Sequence, residues 1–338
     1  MTLDGIMKSG DFLRRREKIS EYVQAEIYGN IPPRPIHVRV EVISENKMAF
    51  GKQVTKGEYR LVAETARGNF SFPFTAYIPY SVKPIPAFVH IDAEGQDSLV
   101  PIEEIVDRKF ALFSFDALNI AGNKKSLRTA ALRVLFDNRH ARSAPGKIAV
   151  WAWASMRVMD FISTLDTIDQ DRIAVIGHSA LADAALLAGG LDERFGFVIS
   201  SCSAISALLF GEALDSFNSF GDASLLFCPA FSKRLRLGKT RGLDIALIFS
   251  LSAPRGIVIA NTLNNPRLCF DGEISALCSL DRVYSLYGKR GTGASRFIKK
   301  APTDFGYDAF YRLRGGSPFL GRDDFNAYMD IISSAHKR

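Results

Sequence analysis

A β-branched run, Ile173 to Ile176, passes without a break into Gly177-His178-Ser179 and then into a helix of small residues, Ala180 to Ala188. A strand that feeds a helix through a single serine leaves room only for a sharp turn, one that lifts the hydroxyl above the end of a sheet. Gly177 permits close backbone approach, and Ala180, Ala182 and Ala184 let the helix lie near its neighbours. The glycine usual two residues after such a serine is replaced by Leu181. The same serine also suits a plain helix N-cap, since serine is a preferred capping residue. The surrounding elements must decide between the two.

Those elements change rhythm partway along the chain. Residues 11–28 read as an amphipathic helix, with Asp11 as its cap and Gly29-Asn30 and Pro32-Pro33 as its stop. Three segments with period-two alternation follow: Ile36 to Val42, Tyr59 to Ala63, and Phe70 to Ile78. Pro73 and Pro79 predict an edge position for the third. From Ala87 onward the strands become short apolar runs, at Ala87–Ile91, Phe110–Phe115, Ile173–Ile176, Phe197–Ser200 and Gly256–Ala260, separated by helices. Runs of that kind belong to parallel strands covered on both faces. The helices are Lys147 to Leu165, with its apolar residues on one stripe, Asp271 to Tyr287, and Asp323 to His336. The expected fold is therefore α/β, of the α/β-hydrolase kind. It has a mostly parallel central sheet, helices on both faces and an antiparallel N-terminal flank. One domain is expected over 1–338: an N-terminal helix and linker to 35, the flank over 36–80, and the parallel core from 81.

Composition excludes several function classes. With 47% hydrophobic residues the chain can bury a large core. No run of about 18 apolar residues predicts a membrane span. Met1 to Arg16 lacks the apolar centre of a signal peptide, so a cytoplasmic location is expected. Cys202, Cys228, Cys269 and Cys278 form no CxxC pair and have no nearby histidines, so neither a disulfide framework nor a metal site is expected. No cofactor motif is present. The net charge of +7 peaks at Lys233, Arg234, Arg236, Lys239 and Arg241. No aromatic residues interleave there and no groove-reading motif is present, which argues against a nucleic-acid partner and for a solvated basic loop.

Several blocks then fall in a recognisable order: Tyr28-Gly-Asn-Ile-Pro-Pro33, Trp151-Ala-Trp153-Ala, Gly177-His-Ser179, Leu191-Asp-Glu-Arg-Phe195, Ala253-Pro-Arg255 and Gly315-Gly316. In this the chain resembles the glucuronoyl esterases, carbohydrate esterase family fifteen. The resemblance implies an α/β-hydrolase fold, a nucleophile at Ser179, and descent from serine esterases that cleave uronic-acid esters joining xylan to lignin. A carbohydrate or uronic-acid ester is then the implied ligand.

The departures from the family pattern carry as much information. The family's catalytic histidine follows the Gly-Gly pair, where this chain has Ser317. Its catalytic acid lies at one of two places, which here fall at Cys202 and in the loop Asn261 to Asn265, around Leu263 and Asn264. The arginine after the nucleophile is Ala180, leaving its backbone N–H as the oxyanion donor, and the lysine on the same helix is Asp183. A charge reversal at a sugar-contact position points to a different ligand contact or none.

A serine hydroxyl needs a base to become a nucleophile, and an imidazole base needs a partner to hold its tautomer. Losing a triad member costs on the order of 10⁴ to 10⁶ in rate in serine proteases. Of the five histidines, His37 lies on the wet face of a strand, His336 near the last residue, and His178 where a side chain points away from the reacting face. His90 and His140 remain as substitutes, and Asp183, one helical turn beyond Ser179, as a solvated carboxylate. Three functional readings follow. The first is a degenerate esterase kept for binding a carbohydrate or protein, the second an active serine esterase with a rearranged base, and the third a basic scaffold for an anionic partner.

Overall fold

The computed structural model describes residues 2–93, 99–122, 125–137, 141–209, 223–239, 243–293 and 300–335. Ten strands form one sheet: β1 (His37–Met48), β2 (Val54–Thr65), β3 (Gly68–Pro79), β4 (Ile85–Asp92), β5 (Ala111–Asp116), β6 (Ile168–His178), β7 (Phe197–Ser201), β8 (Gly256–Thr262), β9 (Thr303–Gly306) and β10 (Ala309–Arg314). Their order is β1-β2-β3-β5-β4-β6-β7-β8-β10-β9. β1 to β3 pair antiparallel, and β5, β4, β6, β7, β8 and β10 run parallel. The expected flank and core are both present. After β4 the chain steps outward to β5 and then returns past β4 to β6. The C-terminal ends of β4 and β6 therefore flank a topological switch point, where open α/β sheets place their sites.

The apolar runs are explained by burial on both faces. One core holds Val89, Phe113, Val175, Val198 and Ile259 against the helices Lys147–Ile162 and Ala180–Leu191. The alternate residues Phe88, Leu112, Ala174, Ile199 and Val258 pack on Phe325, Tyr328 and Met329 of the helix Arg322–Ala335.

Several local expectations are corrected. The first helix begins at Ser9, with Lys8 at its cap. Asp11 caps it from inside, its Oδ2 accepting the Lys8 N–H at 3.2 Å. β3 lies inside the sheet, yet it meets β5 only over Thr75–Tyr77, so Pro73 sits on a stretch that is bare on that side. That is why proline is tolerated in an interior strand. The helix Lys147–Ile162 is buried almost all round rather than along one stripe. The N-terminal linker covers its outer side, where Trp153 Nε1 donates to Pro33 O at 3.1 Å, while Trp151 Nε1 donates to Ala117 O at 2.8 Å. The helix expected over 271–287 is two, Phe270–Ser279 and Asp281–Ser285. β9 and β10 carry no clear apolar signal in the sequence. The buried Arg312 of β10 hides it, and is tolerated because Asp304 and Asp323 pair with its guanidinium.

The blocks shared with the esterases do structural work away from the serine as well. Gly29, at φ +93°, closes the first helical segment, and a Cβ there would lie 2.5 Å from Ala144 O. Arg194 donates to Asp192 at 2.6 and 2.9 Å and to Asp160 at 2.8 Å. Arg255 donates to the carbonyls of Phe195 (2.8 Å), Asp192 (3.2 Å) and Leu251 (3.2 Å), tying the turn before β8 to the turn before β7. Replacing Arg255 by methionine keeps the stem and strands three carbonyls. Urea unfolding of Arg255→Met is expected to show a loss of roughly 1.5–3 kcal/mol.

Candidate active site

The turn after β6 has the geometry that its sequence predicts. Ser179 stands between β6 and the helix Ala180–Leu191 with φ 57° and ψ −123°, a conformation costly for a residue with a Cβ. Its N–H donates to Ser201 O at 2.9 Å, which fixes the turn to the end of β7. At Gly177 a Cβ would lie 2.2 Å from Leu181 O, so only glycine lets the helix start this close to the strand. The serine makes no side-chain capping bond. Ser179 thus occupies the N-cap position without capping the helix through its hydroxyl. Ala180 is the first residue of the helix, so its N–H belongs to the first-turn donors that have no acceptor within the helix.

The positions at which the resemblance places a triad lie at the C-terminal ends of β6, β7, β8 and β10. Cys202 follows β7 at φ 51°, its N–H bonded to Ala260 O (2.8 Å) and its thiol to Asn261 Oδ1 (3.4 Å). Burial, aided by the nearby Glu273 carboxyl, pushes that thiol up to about 12, so it is an inert group at neutral pH. Leu263 N–H donates to Arg314 O (2.9 Å) and Asn264 N–H to Gly316 O (3.2 Å). The acid loop and the loop carrying Ser317 thus lie side by side, with Ser317 exposed.

No described side chain hydrogen-bonds the Ser179 hydroxyl. His178 turns to the next strand, its Nδ1 3.1 Å from Ser201 Oγ, and burial together with Arg314 and Arg267 presses its pKa down to about 4. His90 is buried beneath the strand ends, its Nδ1 3.1 Å from Ser114 Oγ, and burial lowers its pKa as well. His37 is exposed on β1. His140 and His336 lie outside the described residues. Asp183, expected as a solvated carboxylate, is wholly buried. Its Oδ1 accepts from Ser203 Oγ (2.6 Å) and its Oδ2 from Ile205 N–H (2.9 Å), which leaves no surface open to a ligand. The basic run is partly helix, Pro229–Arg236, and Arg234 lies 3.8 Å from Glu26. Arg241 lies outside the described residues. Among the described residues, no group of three or more His, Cys, Asp and Glu side chains could hold a metal ion, and no helix is long and apolar enough to cross a membrane.

One acidic residue at the site escaped the sequence reading. Glu273 is buried behind Cys202 and Asn261, accepting from Asn261 Nδ2 at 3.0 and 3.2 Å and from Tyr311 OH at 2.9 Å. Burial raises its carboxyl to about 7, against those donors. Its signal was a glutamate spaced with Phe270, Ala276 and Leu277 on the inner face of its helix.

Comparison with known proteins settles the ancestry of this arrangement. The family model described as "Glucuronyl esterase, fungi" matches residues 62–288. The chain belongs to the glucuronyl esterase family. A glucuronoyl esterase from Solibacter usitatus superposes with a TM-score of 0.84 at 21% identity, covering 97% of this chain and 94% of that one, which establishes the α/β-hydrolase fold. Among curated relatives, "Carbohydrate esterase MZ0003" from an unknown prokaryotic organism is 30% identical over 194 residues, 55% of this chain and 44% of that protein. The 4-O-methyl-glucuronoyl methylesterase of Podospora anserina is 22% identical over 275 residues, 77% of this chain and 53% of that protein. The chain spans about half the length of these two relatives.

Two predictions follow from this geometry. Ser179→Gly relieves the positive φ and is expected to raise the unfolding free energy by about 1 kcal/mol in urea melts, where Ser179→Ala does not. Asp183 is raised by burial to about 8 when folded, against about 3.9 unfolded. Its contribution is thus fully present below pH ~4 and is lost as pH climbs through about 8. Asp183→Asn removes that titration, so its stability should fall less steeply than the parent's between those pH values in parallel urea melts.

Proposed function

We propose that this chain is a glucuronoyl-esterase-like protein with impaired catalysis, its scaffold kept to bind a carbohydrate such as a uronic-acid ester. The observation that carries this reading is the state of Ser179. The elbow is intact and the Ala180 N–H is placed to donate, but no base among the described residues meets the hydroxyl. The positions that would supply a base and acid hold Ser317, Cys202, Leu263 and Asn264. A hydroxyl without a base has no route to an alkoxide at neutral pH, whatever the turn geometry. The ligand class is carried over from relatives, which include several named 4-O-methyl-glucuronoyl methylesterases. A solved relative from Sporotrichum thermophile holds methyl 4-O-methyl-β-D-glucopyranuronate.

A hydrolysis assay and an active-serine probe test the proposal together. The purified protein is expected to leave methyl glucuronate and aryl acetates unhydrolysed above background, with Ser179→Ala indistinguishable from the parent. A fluorophosphonate should label it slowly, and equally with or without Ser179. Rapid labelling that vanishes in Ser179→Ala would establish an activated nucleophile and replace this reading with that of an active esterase using a rearranged base.

A further inference from the structure

The flank farthest from the elbow ends in β1, whose outer side pairs with no strand among the described residues. Such an edge is a row of open N–H and C=O groups, a template for another strand. Charged residues ordinarily blunt it, and β1 carries them, but in an unusual arrangement. The part of β1 in regular register with β2, before the irregularity between Val42 and Ser44, contains Val38-Arg39-Val40-Glu41-Val42. Read backwards against itself, that segment is its own complement.

We propose that β1 pairs antiparallel with β1 of a second copy about a two-fold axis at Val40, joining the two sheets into one. In this register Val40 faces Val40 of the second copy, Val38 faces its Val42, and Arg39 faces its Glu41, on both sides of the axis. Directly opposed residues in an antiparallel pair are the closest cross-strand neighbours, so opposite charges there favour pairing and like charges oppose it. The charges also select the register. A shift of two residues one way sets Glu41 against Glu41, and two the other way sets Arg39 against Arg39. A shift of one puts the valine face of one copy against the charged face of the other. Arg39 and Glu41 already pair within one chain, with 51% and 41% of their side chains exposed, so both lie within reach of a second strand. Symmetric self-complementarity of this kind is what a two-fold interface requires.

The surroundings fit the same occupant. Large exposed apolar side chains concentrate on this flank, among them Val42, Ile43, Met48, Tyr80 and Val82. Val40 and Val42 also line a cavity of about 490 Å³ with Tyr59 and Phe161, which pairing would cover along its valine side. The inference is independent of the chemistry proposed at Ser179, since it uses none of those residues.

Mass measured by light scattering and sedimentation over a wide concentration range, on the full chain, is the test. A dimer that dissociates on dilution is expected. Arg39→Glu and Glu41→Arg each set two like-charge pairs across the axis and should weaken association by about tenfold or more. Combining them in Arg39→Glu/Glu41→Arg restores opposite pairs and should restore the dimer. Both side chains are exposed, so thermal unfolding should confirm that every variant is folded. A monomer at all concentrations overturns the proposal. So does a dimer indifferent to the single changes, or a double variant as weak as the singles.

Discussion

The helix Ala180–Leu191 lies so close to the strands beneath it that the backbone has little freedom left at the turn between them. Gly177 meets the helix's first turn, and at Gly189 a Cβ would come 2.2 Å from Val198. Alanine lines the faces between. To leave β6 and enter a helix packed this tightly, the chain must turn within one residue, and Ser179 takes the positive φ that the turn demands. The bond from its N–H to Ser201 O then locks the elbow to β7. The strain is thus a consequence of core packing, and it persists whether or not the hydroxyl has chemistry to do.

The two ends of the strands serve the fold differently. At the N-terminal ends, Arg194 and Arg255 satisfy carboxylates and carbonyls that would otherwise be stranded, and their loss is felt as stability. At the C-terminal ends the loops carry the positions at which the resemblance places catalytic groups, and the fold does not depend on those groups. Ser317, Leu263, Asn264 and the buried thiol of Cys202 stand at those positions. Fold alone therefore does not report activity.

Interior polar groups hold the region around the elbow. Asp183 lies where the resemblance places a ligand-binding lysine, but it turns inward to Ser203 and Ile205 and secures the segment after β7 to the elbow helix. Glu273, Asn261 and Tyr311 form a second buried set joining β8, β10 and the helix after β8. Burial raises both carboxyls, while the hydrogen bonds each accepts favour the ionised form and hold part of that shift back.

Much of this was legible in the residues alone. The elbow, the switch from half-buried flank to doubly covered strands, and the family blocks depend on local pattern: period-two alternation, β-branched runs, and glycine where no Cβ fits. The same reading places Ser317 where the resemblance puts the base, because ordered blocks carry position along the chain. Folding decided the rest. Asp183 could be read only as an acid on a helix, and which way it faces depends on a segment twenty residues later. Glu273 drew no reading from the sequence, because Tyr311 and Asn261, which close over it, come from other elements. β10 was hidden by Arg312, whose burial is tolerated only because Asp304 and Asp323 arrive from separate elements. Backbone pattern is local and survives in sequence. The environment of a buried charge is set by partners distant in the chain, and only the tertiary structure brings them together.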